Sequence, residues 1–443
     1  MSSSPSPTYR TLSGFFLPLA IQAASQALSY PLVAMVASRG PGGPVNLAGL
    51  AQSNTVMFFL GMFAISSVTT GMVYAKTREG YQKFRLMIRA TGLVIIGIQA
   101  VLCIPAVSHL LFGRIIGLPP SIEQPAQITL ISCLPLQFLF FFRIPYFVVM
   151  YVGRATAKAS MATIARIILT AMLSPLFCIV GLVGPIWAVV CLTIPVALEA
   201  LVSGIFAVPF IRSLEPCREK PPGVKEIFIF NIPLSVGGYF LVASAIILAA
   251  FIARAPDPDR ILPIYYLALG LVNPMSFAAT RIQAVVIAFP PQSLQERRTL
   301  RFSLAAGALL GMLPLIFTLP GLAELYYVKL QKLDLADLGL VRMTAVSLIF
   351  FPLSVAIRAQ SEGLAAWLKK PTTVLTGHGM FLITIVVAGF TLLMLGTPGQ
   401  VIGAVGLTLG SLASSATMRL LLMRAKERAF PVGQTTTSLG QIR

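Results

Sequence analysis

Residues 350–375 read FFPLSVAIRAQSEGLAAWLKKPTTVL, an apolar run that carries a single arginine, Arg358, in its middle. The stretch 215 positions earlier, residues 135–160, reads PLQFLFFFRIPYFVVMYVGRATAKAS and places Arg143 at the position of Arg358. The same offset, without a gap, aligns further pairs of distinctive residues: Pro18 with Pro233, Gly92 with Gly307, Arg154 with Lys369, Gly181 with Gly396, and Gly184 with Gly399. These coincidences predict a chain built from two tandem copies of one unit.

The composition is that of a membrane protein. The 443 residues are 56% hydrophobic and 11% charged, and the mean hydropathy is +0.86. Soluble domains are usually about 45–50% apolar and about 25% charged. The net charge of +19 comes from Lys and Arg in short gaps between apolar runs, which is typical of membrane orientation rather than of nucleic-acid binding.

Apolar runs long enough to cross a bilayer can be separated along the whole chain. We predict an all-α multipass protein with about twelve spans, at residues 12–36, 48–75, 88–112, 126–152, 159–180, 185–211, 227–253, 262–289, 302–322, 341–368, 372–395 and 400–423. The repeat then gives two parallel six-helix bundles related by an axis along the membrane normal. The predicted organisation is a cytoplasmic N-terminus at 1–11, bundles at 12–211 and 227–424, a linker at 212–226, and a disordered cytoplasmic tail at 425–443.

The loops differ strongly in basic charge from one side of the predicted bundle to the other. Most of the loop Lys and Arg residues, including Lys83, Arg85 and Arg297, fall in the loops that share a side with both termini. The positive-inside rule therefore predicts cytoplasmic termini, a cytoplasmic linker and residence in the inner (plasma) membrane.

Arginines deep in the predicted spans are the main candidates for function, because charge in the bilayer is costly and usually marks a pathway. Arg143 and Arg358 lie at matching depth near mid-membrane, and Arg281 lies about 12 Å from the nearer helix end at 1.5 Å per residue. Guanidinium groups offer forked donors to carboxylate or phosphate. We therefore predict that Arg143, Arg358 and Arg281 bind an anionic substrate in a central cavity. A structural role remains open, in which each arginine caps carbonyls freed by nearby prolines or pairs with an acid such as Glu199.

Three polar residues complete the predicted substrate site. Glu362 follows Arg358 by one helical turn, so the two can pair along one helix face. Gln360 and Asn273 can hydrogen-bond a substrate, although bonds between helices are the commoner use of such residues. The chain has five cysteines and two histidines without a ligand motif. We therefore expect no metal and no cofactor, and because buried acids are scarce we expect no enzyme activity.

The stretch Phe350–Leu375 resembles the late helix of the progressive ankylosis protein family, which also has a double aromatic, a Pro, a mid-helix Arg, a Gly and a Lys-Lys pair in this order. Shorter matches stand at FFLPLAI from Phe15, IPLSV from Ile232 and TRIQAVVIAF from Thr280. The resemblance implies membership in the multidrug/oligosaccharidyl-lipid/polysaccharide (MOP) flippase superfamily, with two six-helix bundles arranged in a MATE-like V. It also implies export of polyvalent anions such as pyrophosphate, nucleotides or citrate-like carboxylates. By position it carries over Arg358, Arg281 and the pair Lys369-Lys370.

Other transporter classes fit parts of this pattern. A MATE-type cation or drug antiporter shares the architecture but needs a deep carboxylate, which the first span lacks. A flippase for lipid-linked saccharides also fits a cationic cavity, because its cargo carries phosphates. The major facilitator fold has the same repeat, but its usual Gly/Asp-bearing loop is not seen in AKTREGYQKFR. We expect the protein to work as a monomer whose partners are the lipid bilayer and a small-molecule anion, without nucleic acid.

Overall fold

The computed structural model describes residues 7–26, 29–41, 44–115, 120–217, 220–252, 254–291, 297–330, 333 and 335–429. This part of the chain is helical and contains no strand. Its helices are α1 (Tyr9–Gln26), α2 (Ser29–Ser38), α3 (Pro44–Tyr74), α4 (Arg78–Leu102), α5 (Pro105–His109), α6 (Pro120–Ser132), α7 (Leu134–Val152), α8 (Thr156–Val180), α9 (Pro185–Arg212), α10 (Val224–Ile252), α11 (Pro258–Thr280), α12 (Ile282–Ala288), α13 (Arg298–Met312), α14 (Leu338–Ser347), α15 (Phe350–Trp367), α16 (Pro371–Met394) and α17 (Gly399–Ala429). The tail predicted to be disordered lies outside the described residues from position 430 onward.

Eleven segments of the described chain are long and apolar enough to cross a membrane. The first predicted span, 12–36, is divided between α1 and α2, and residues 27–28 between them lie outside the described part. The predicted span 88–112 is corrected, because the helix begins at Arg78 and ends at Leu102. Hydropathy does not predict the first turns of α4, because they are charged. These turns are nevertheless helical, and Thr77 caps them by accepting a hydrogen bond from the Gly80 amide at 3.2 Å.

Several spans are interrupted in their interior. The segment predicted at 126–152 divides into α6 and α7 at Cys133, and the segment predicted at 341–368 divides into α14 and α15 at 348–349. The second break falls at the position of the first plus 215. A third break separates α11 from α12 at Arg281, whose amide bonds to the Ala278 carbonyl at 3.0 Å, one residue closer than in a regular α-helix.

The repeat predicted from the sequence recurs in the packing. Gly92 on α4 lies against Phe141 on α7, where an added Cβ would come within 2.9 Å of the Phe141 side chain. Gly307 on α13 lies in the same way against Ala356 on α15, with the corresponding approach at 2.7 Å. Ala356 is the residue 215 positions after Phe141. The chain therefore consists of an N-half, α1–α9, and a C-half, α10–α17, that share one plan. The finer bundle boundaries at 12–211 and 227–424 stay a prediction.

The two halves meet near the face at which α1 and α10 begin and α3 and α7 end, called here the termini face. Ser66 on α3 and Ser235 on α10 share a hydrogen bond of 2.6 Å, and Thr70 donates to the Asn231 side chain at 2.6 Å. Three aromatic pairs cross the same boundary with their rings packed edge to face: Phe16 with Phe302, Phe15 with Phe289, and Tyr74 with Phe230. Apolar and hydrogen-bonded contacts thus close the termini face.

Toward the opposite face, α3 and α11 pack on their own halves. Ser53 on α3 donates to the Ala126 carbonyl on α6 at 2.5 Å. In the C-half, Gly403 lies against the ring of Tyr265 on α11. The halves therefore form a V that is joined at the termini face and opens away from it.

Candidate functional site

The N-half has a buried charge cluster where α7, α8 and α9 meet. Glu199 on α9 is fully buried, and its Oε2 atom contacts the guanidinium of Arg143 on α7. The same oxygen lies 3.8 Å from Nε of Arg166 on α8. Thr163, one helical turn before Arg166, donates to the other carboxylate oxygen at 2.5 Å. Two arginines therefore share one acid, and this cluster has a net charge of one positive unit.

A chain of hydrogen bonds extends from this cluster to the first helix. Gln22 on α1 donates to the Thr163 hydroxyl at 2.8 Å and accepts from the Tyr151 hydroxyl at 3.0 Å. Buried polar groups of this kind are usually satisfied by one another, because an unpaired one loses its hydration without compensation. These hydrogen bonds position Thr163, which anchors one of the two oxygens of the Glu199 carboxylate.

Arg143 also lies between aromatic rings. Its Cζ atom is 4.7 Å from the centre of the Phe140 ring and 5.7 Å from that of Phe147. Aromatic faces attract cations, and the attraction grows when water is excluded. The Arg143 guanidinium therefore lies over the faces of two aromatic rings while it contacts Glu199.

The C-half places its own cluster at the equivalent location. Arg358 on α15 pairs with Glu362 one turn later, with 3.2 Å between Nε and Oε1. His378 on α16 contacts the same oxygen through Nε2 at 2.8 Å. Arg358 also lies over the Phe381 ring at 5.0 Å and donates weakly to Ser411 on α17 at 3.4 Å. The pairing of Arg358 with Glu362, anticipated from their spacing, is present.

The repeat explains how the clusters differ. Adding 215 converts Phe147 to Glu362, Arg166 to Phe381 and Glu199 to Ser414. The acid therefore stands on the arginine's own helix in the C-half and on a neighbouring helix in the N-half. Thr163 corresponds to His378, and Gln22 corresponds to Gly237, which leaves room for the imidazole: a Cβ on Gly237 would lie 2.5 Å from His378 Nδ1.

Gln360 is held in the packing of the C-half. Its carbonyl oxygen accepts a bond from Arg419 on α17 at 2.7 Å, and its amide donates to Thr299 on α13 at 3.4 Å. Arg419 further donates from Nε to Ser361 at 3.1 Å. Gln360, predicted as a substrate contact, thus joins three helices in this structure.

Arg281 differs from the other deep arginines. No ion pair or side-chain hydrogen bond joins its guanidinium to another residue in the described part of the chain, and its Nε atom is buried. It belongs to the C-half, but the two helices that it joins, α11 and α12, pack against α1, α3 and α7 of the N-half. Asn273, two turns earlier on α11, is half-buried and also has no hydrogen-bond partner among the described residues. Arg281 therefore presents an uncompensated positive charge at the boundary between the halves.

The structure thus sorts the predicted residues into three groups. Arg143 on α7 and Arg281 between α11 and α12 belong to elements that pack on each other across the boundary, and Asn273 lies on α11, two turns before Arg281. Arg358 and Glu362 form a pair inside the C-half, and Gln360 is engaged in packing. Sequence reasoning missed the roles of Tyr151, Thr163 and Gln22, for which no periodic signal existed. The described residues contain no group of three or more metal-ligating side chains.

Comparisons with known proteins identify the fold. No family model matches the chain, and no curated protein matches it either. A solved structure described as the outward-facing conformation of a multidrug resistance MATE family transporter of the MOP superfamily has a TM-score of 0.74 at 14% identity, over 94% of this chain and 96% of that chain. The chain has the MATE fold.

Two further structures with the MATE fold bear on the comparison. A MOP superfamily transporter from Pyrococcus furiosus, described as having a binding pocket of reverse polarity that suggests a different function, has a TM-score of 0.71 at 14% identity, over 95% of this chain and 96% of that chain. The inward-facing conformation of a multidrug resistance MATE family transporter has a TM-score of 0.61 at 15% identity, over 96% of this chain and 100% of that chain. At these identities the likeness concerns the fold.

Proposed function

We propose that the protein is a secondary membrane transporter that moves anions with two or more negative charges by alternating access between its halves. The observation that carries the proposal is the uncompensated guanidinium of Arg281 at the boundary between the halves. A partly buried cation without a partner loses hydration without compensation, and an anionic ligand supplies that compensation. A guanidinium also offers a planar fork that matches carboxylate and phosphate oxygens.

The surroundings of Arg281 favour a polyvalent ligand. Arg143, in the opposite half, lies on α7, and α7 packs against α12, the helix that begins directly after Arg281. An anion with two charged groups can bind both arginines and so join the halves, whereas a monovalent anion satisfies only one. Pyrophosphate, nucleotides and citrate-like carboxylates meet this requirement. Arg358 serves the equivalent position of the C-half, where Glu362 already compensates it.

The V shape supports a rocking mechanism. The halves are closed at the termini face and diverge toward the other face, and substrate sites of transporters with parallel repeats lie between the halves. The higher TM-score against an outward-facing structure than against an inward-facing one agrees with a termini face on the cytoplasmic side. We therefore propose cytoplasmic termini, location in the inner membrane, export as the direction and a single chain as the working unit.

The finer family assignment belongs to the same proposal. The resemblance of Phe350–Leu375 to the progressive ankylosis family, together with the MATE fold, supports a polyanion exporter of that kind. Within this stretch Arg358 pairs with Glu362, and Lys369 lies over the Tyr74 ring.

The experiment uses purified protein in liposomes loaded with radiolabelled citrate or pyrophosphate. We expect Arg281→Gln to lower the flux of both probes about tenfold or more, because one charge-assisted contact contributes roughly 1.5–3 kcal/mol. Arg281→Lys should restore part of it, because the ammonium keeps the charge but lacks the fork. Arg254→Gln, which removes an exposed arginine bonded to the Ala250 carbonyl, is the matched control. Unchanged flux in Arg281→Gln would refute the proposal.

A cation or drug antiporter is the second candidate, and the fold comparison favours it. Such an exchanger needs a carboxylate that is free to take up a cation. Glu199 is compensated by two arginines and Glu362 by Arg358 and His378. This candidate would be established instead if the parental protein took up a cationic dye and showed no anion flux, and if Glu199→Gln or Glu362→Gln abolished the dye uptake.

A further inference from the structure

Glu199 is shared unequally by its two arginines. Its Oε2 atom contacts Arg143 and stops 3.8 Å from Nε of Arg166, which is beyond hydrogen-bond distance. Nε and Nη2 of Arg166 are both buried and have no hydrogen-bond partner among the described residues. These two atoms form one edge of the guanidinium, the edge that binds a carboxylate with two parallel bonds. Arg166 therefore has two unused N–H donors for a carboxylate that lies beside it.

The three charged side chains also differ in exposure. Glu199 is 0% exposed, Arg166 is 5% and Arg143 is 14%. Arg143 is thus the member of the cluster that an incoming ligand can reach, and its helix, α7, packs against α12, which begins directly after Arg281. In this structure Glu199 already neutralises the charge of Arg143.

We propose that Glu199 competes with the substrate for Arg143. Its carboxylate pairs with Arg143 when no anion is bound, and it moves to Arg166 when an anion binds Arg143 in its place. This inference rests on the proposed function and makes Arg143 the second substrate-binding arginine beside Arg281. The carboxylate needs to move by only about 1 Å to close the gap to Arg166. After the move every charge is paired: Glu199 with Arg166, and the substrate with Arg143 and Arg281.

The repeat supplies an internal control for this device. In the C-half the position of Arg166 is taken by Phe381, whose ring lies under the Arg358 guanidinium. Among the described residues Glu362 has no second arginine beside it. Its other partner, His378, already contacts the same oxygen at 2.8 Å, so no unpaired guanidinium is available to draw Glu362 away from Arg358. The exchange of partners belongs to the N-half alone within the described chain.

The first test is a double-mutant cycle on the binding of citrate by the purified full-length protein. We expect Glu199→Gln to strengthen citrate binding about tenfold, because the competing negative charge is gone. Arg166→Met should weaken citrate binding about tenfold, because the displaced Glu199 carboxylate then has no cation to pair with. The decisive result is the double variant: with Gln at 199, the further change Arg166→Met should have little effect. A general effect of charge would instead be additive. Additive effects would overturn the proposal.

A second measurement needs no bound substrate. Phenylglyoxal modifies accessible arginines, and mass spectrometry of the labelled protein reports Arg143 separately. Labelling of Arg143 should rise several-fold in Glu199→Gln and remain at the parental level in Glu362→Gln. Thermal unfolding of each variant verifies folding. Equal labelling of Arg143 in the parental protein and in Glu199→Gln would refute the exchange of partners, even if no citrate binds. Citrate binding that is unchanged in Arg281→Gln would refute only the proposed function.

Discussion

Nζ of Lys369 lies 4.8 Å from the centre of the Tyr74 ring, so a cation of the C-half rests on an aromatic residue of the N-half. The repeat-equivalent residues are Arg154, 215 positions before Lys369, and Phe289, 215 positions after Tyr74. The Arg154 guanidinium lies 4.3 Å from the Phe289 ring centre. Both cations stand in the left-handed backbone region, with φ of 55° at Lys369 and 57° at Arg154. Non-glycine residues rarely adopt this conformation, yet the turn recurs in both halves, and each copy carries one cation–π contact between the halves at the termini face. These two contacts are called here the latches.

Removing these latches should shift the protein toward the state that is open at the termini face. Each cation–π contact contributes about 0.5–1 kcal/mol, or roughly two- to fivefold in population. We expect Lys369→Gln and Arg154→Gln each to produce a shift of this size, and the double variant to multiply them. Distances between spin labels on the two halves measure the populations.

The matched control for the latches is Lys158→Gln. Lys158 lies 5.2 Å from the Phe210 ring, and both residues belong to the N-half. It should leave the distance distribution unchanged. A population shift as large as that of Lys369→Gln would show that charge at this face, rather than contact between the halves, sets the equilibrium.

Crosslinking the halves at the termini face should stop transport. The hydroxyls of Ser66 and Ser235 are 2.6 Å apart, so cysteines at both positions should form a disulfide on oxidation. We expect the oxidised double variant to lose citrate flux and to regain it on reduction. Cysteines at Ser361 and Ser415, whose hydroxyls are 2.7 Å apart inside the C-half, should crosslink without this loss. Persistent flux through a fully crosslinked 66–235 pair would argue against rocking of the halves.

Gly237 should tolerate no side chain, because a Cβ would lie 2.5 Å from His378 Nδ1. We expect Gly237→Ala to destabilise the protein by about 1–3 kcal/mol, the usual cost of overpacking. Gly238→Ala is the control, since its nearest neighbour is the flexible Met62 side chain at 3.7 Å. Thermal unfolding in detergent compares the two, and equal melting temperatures would contradict the tight approach of α10 to His378.

The linker on the termini face should loosen in acid. The backbone amide of Cys217 donates to a carboxylate oxygen of Glu79 at 2.7 Å. An ionised carboxylate accepts such a bond more strongly than a protonated one, so protonation of Glu79 in acid weakens the bond. The protection factor of the Cys217 amide in hydrogen exchange should therefore decrease on acidification, and Glu79→Gln should remove this pH dependence. A constant protection factor in the parental protein would contradict the bond.

Most of the architecture could be predicted from the sequence. Apolar runs of fixed length predicted the membrane helices, since a bilayer demands about 20 apolar residues per span. The aligned Arg143 and Arg358 predicted the repeat, and the four-residue spacing of Arg358 and Glu362 predicted their pair. Each inference used a local period or a constant offset, and such signals are visible in one dimension. Helix ends were less accurate, as at Arg78, because hydropathy does not register a charged first turn.

The tertiary structure alone decided which charges are compensated. Glu199 is 56 residues from Arg143 and 33 from Arg166, and only the packing of α7, α8 and α9 brings one carboxylate between two arginines. The same packing leaves Arg281 without a partner at the boundary between the halves. A single sequence specifies which residues carry charge and roughly how deep they lie. The partner of each charge depends on the rotation and contact of separate helices, because ion pairs and hydrogen bonds act over only a few ångströms between side chains that the chain itself does not place together.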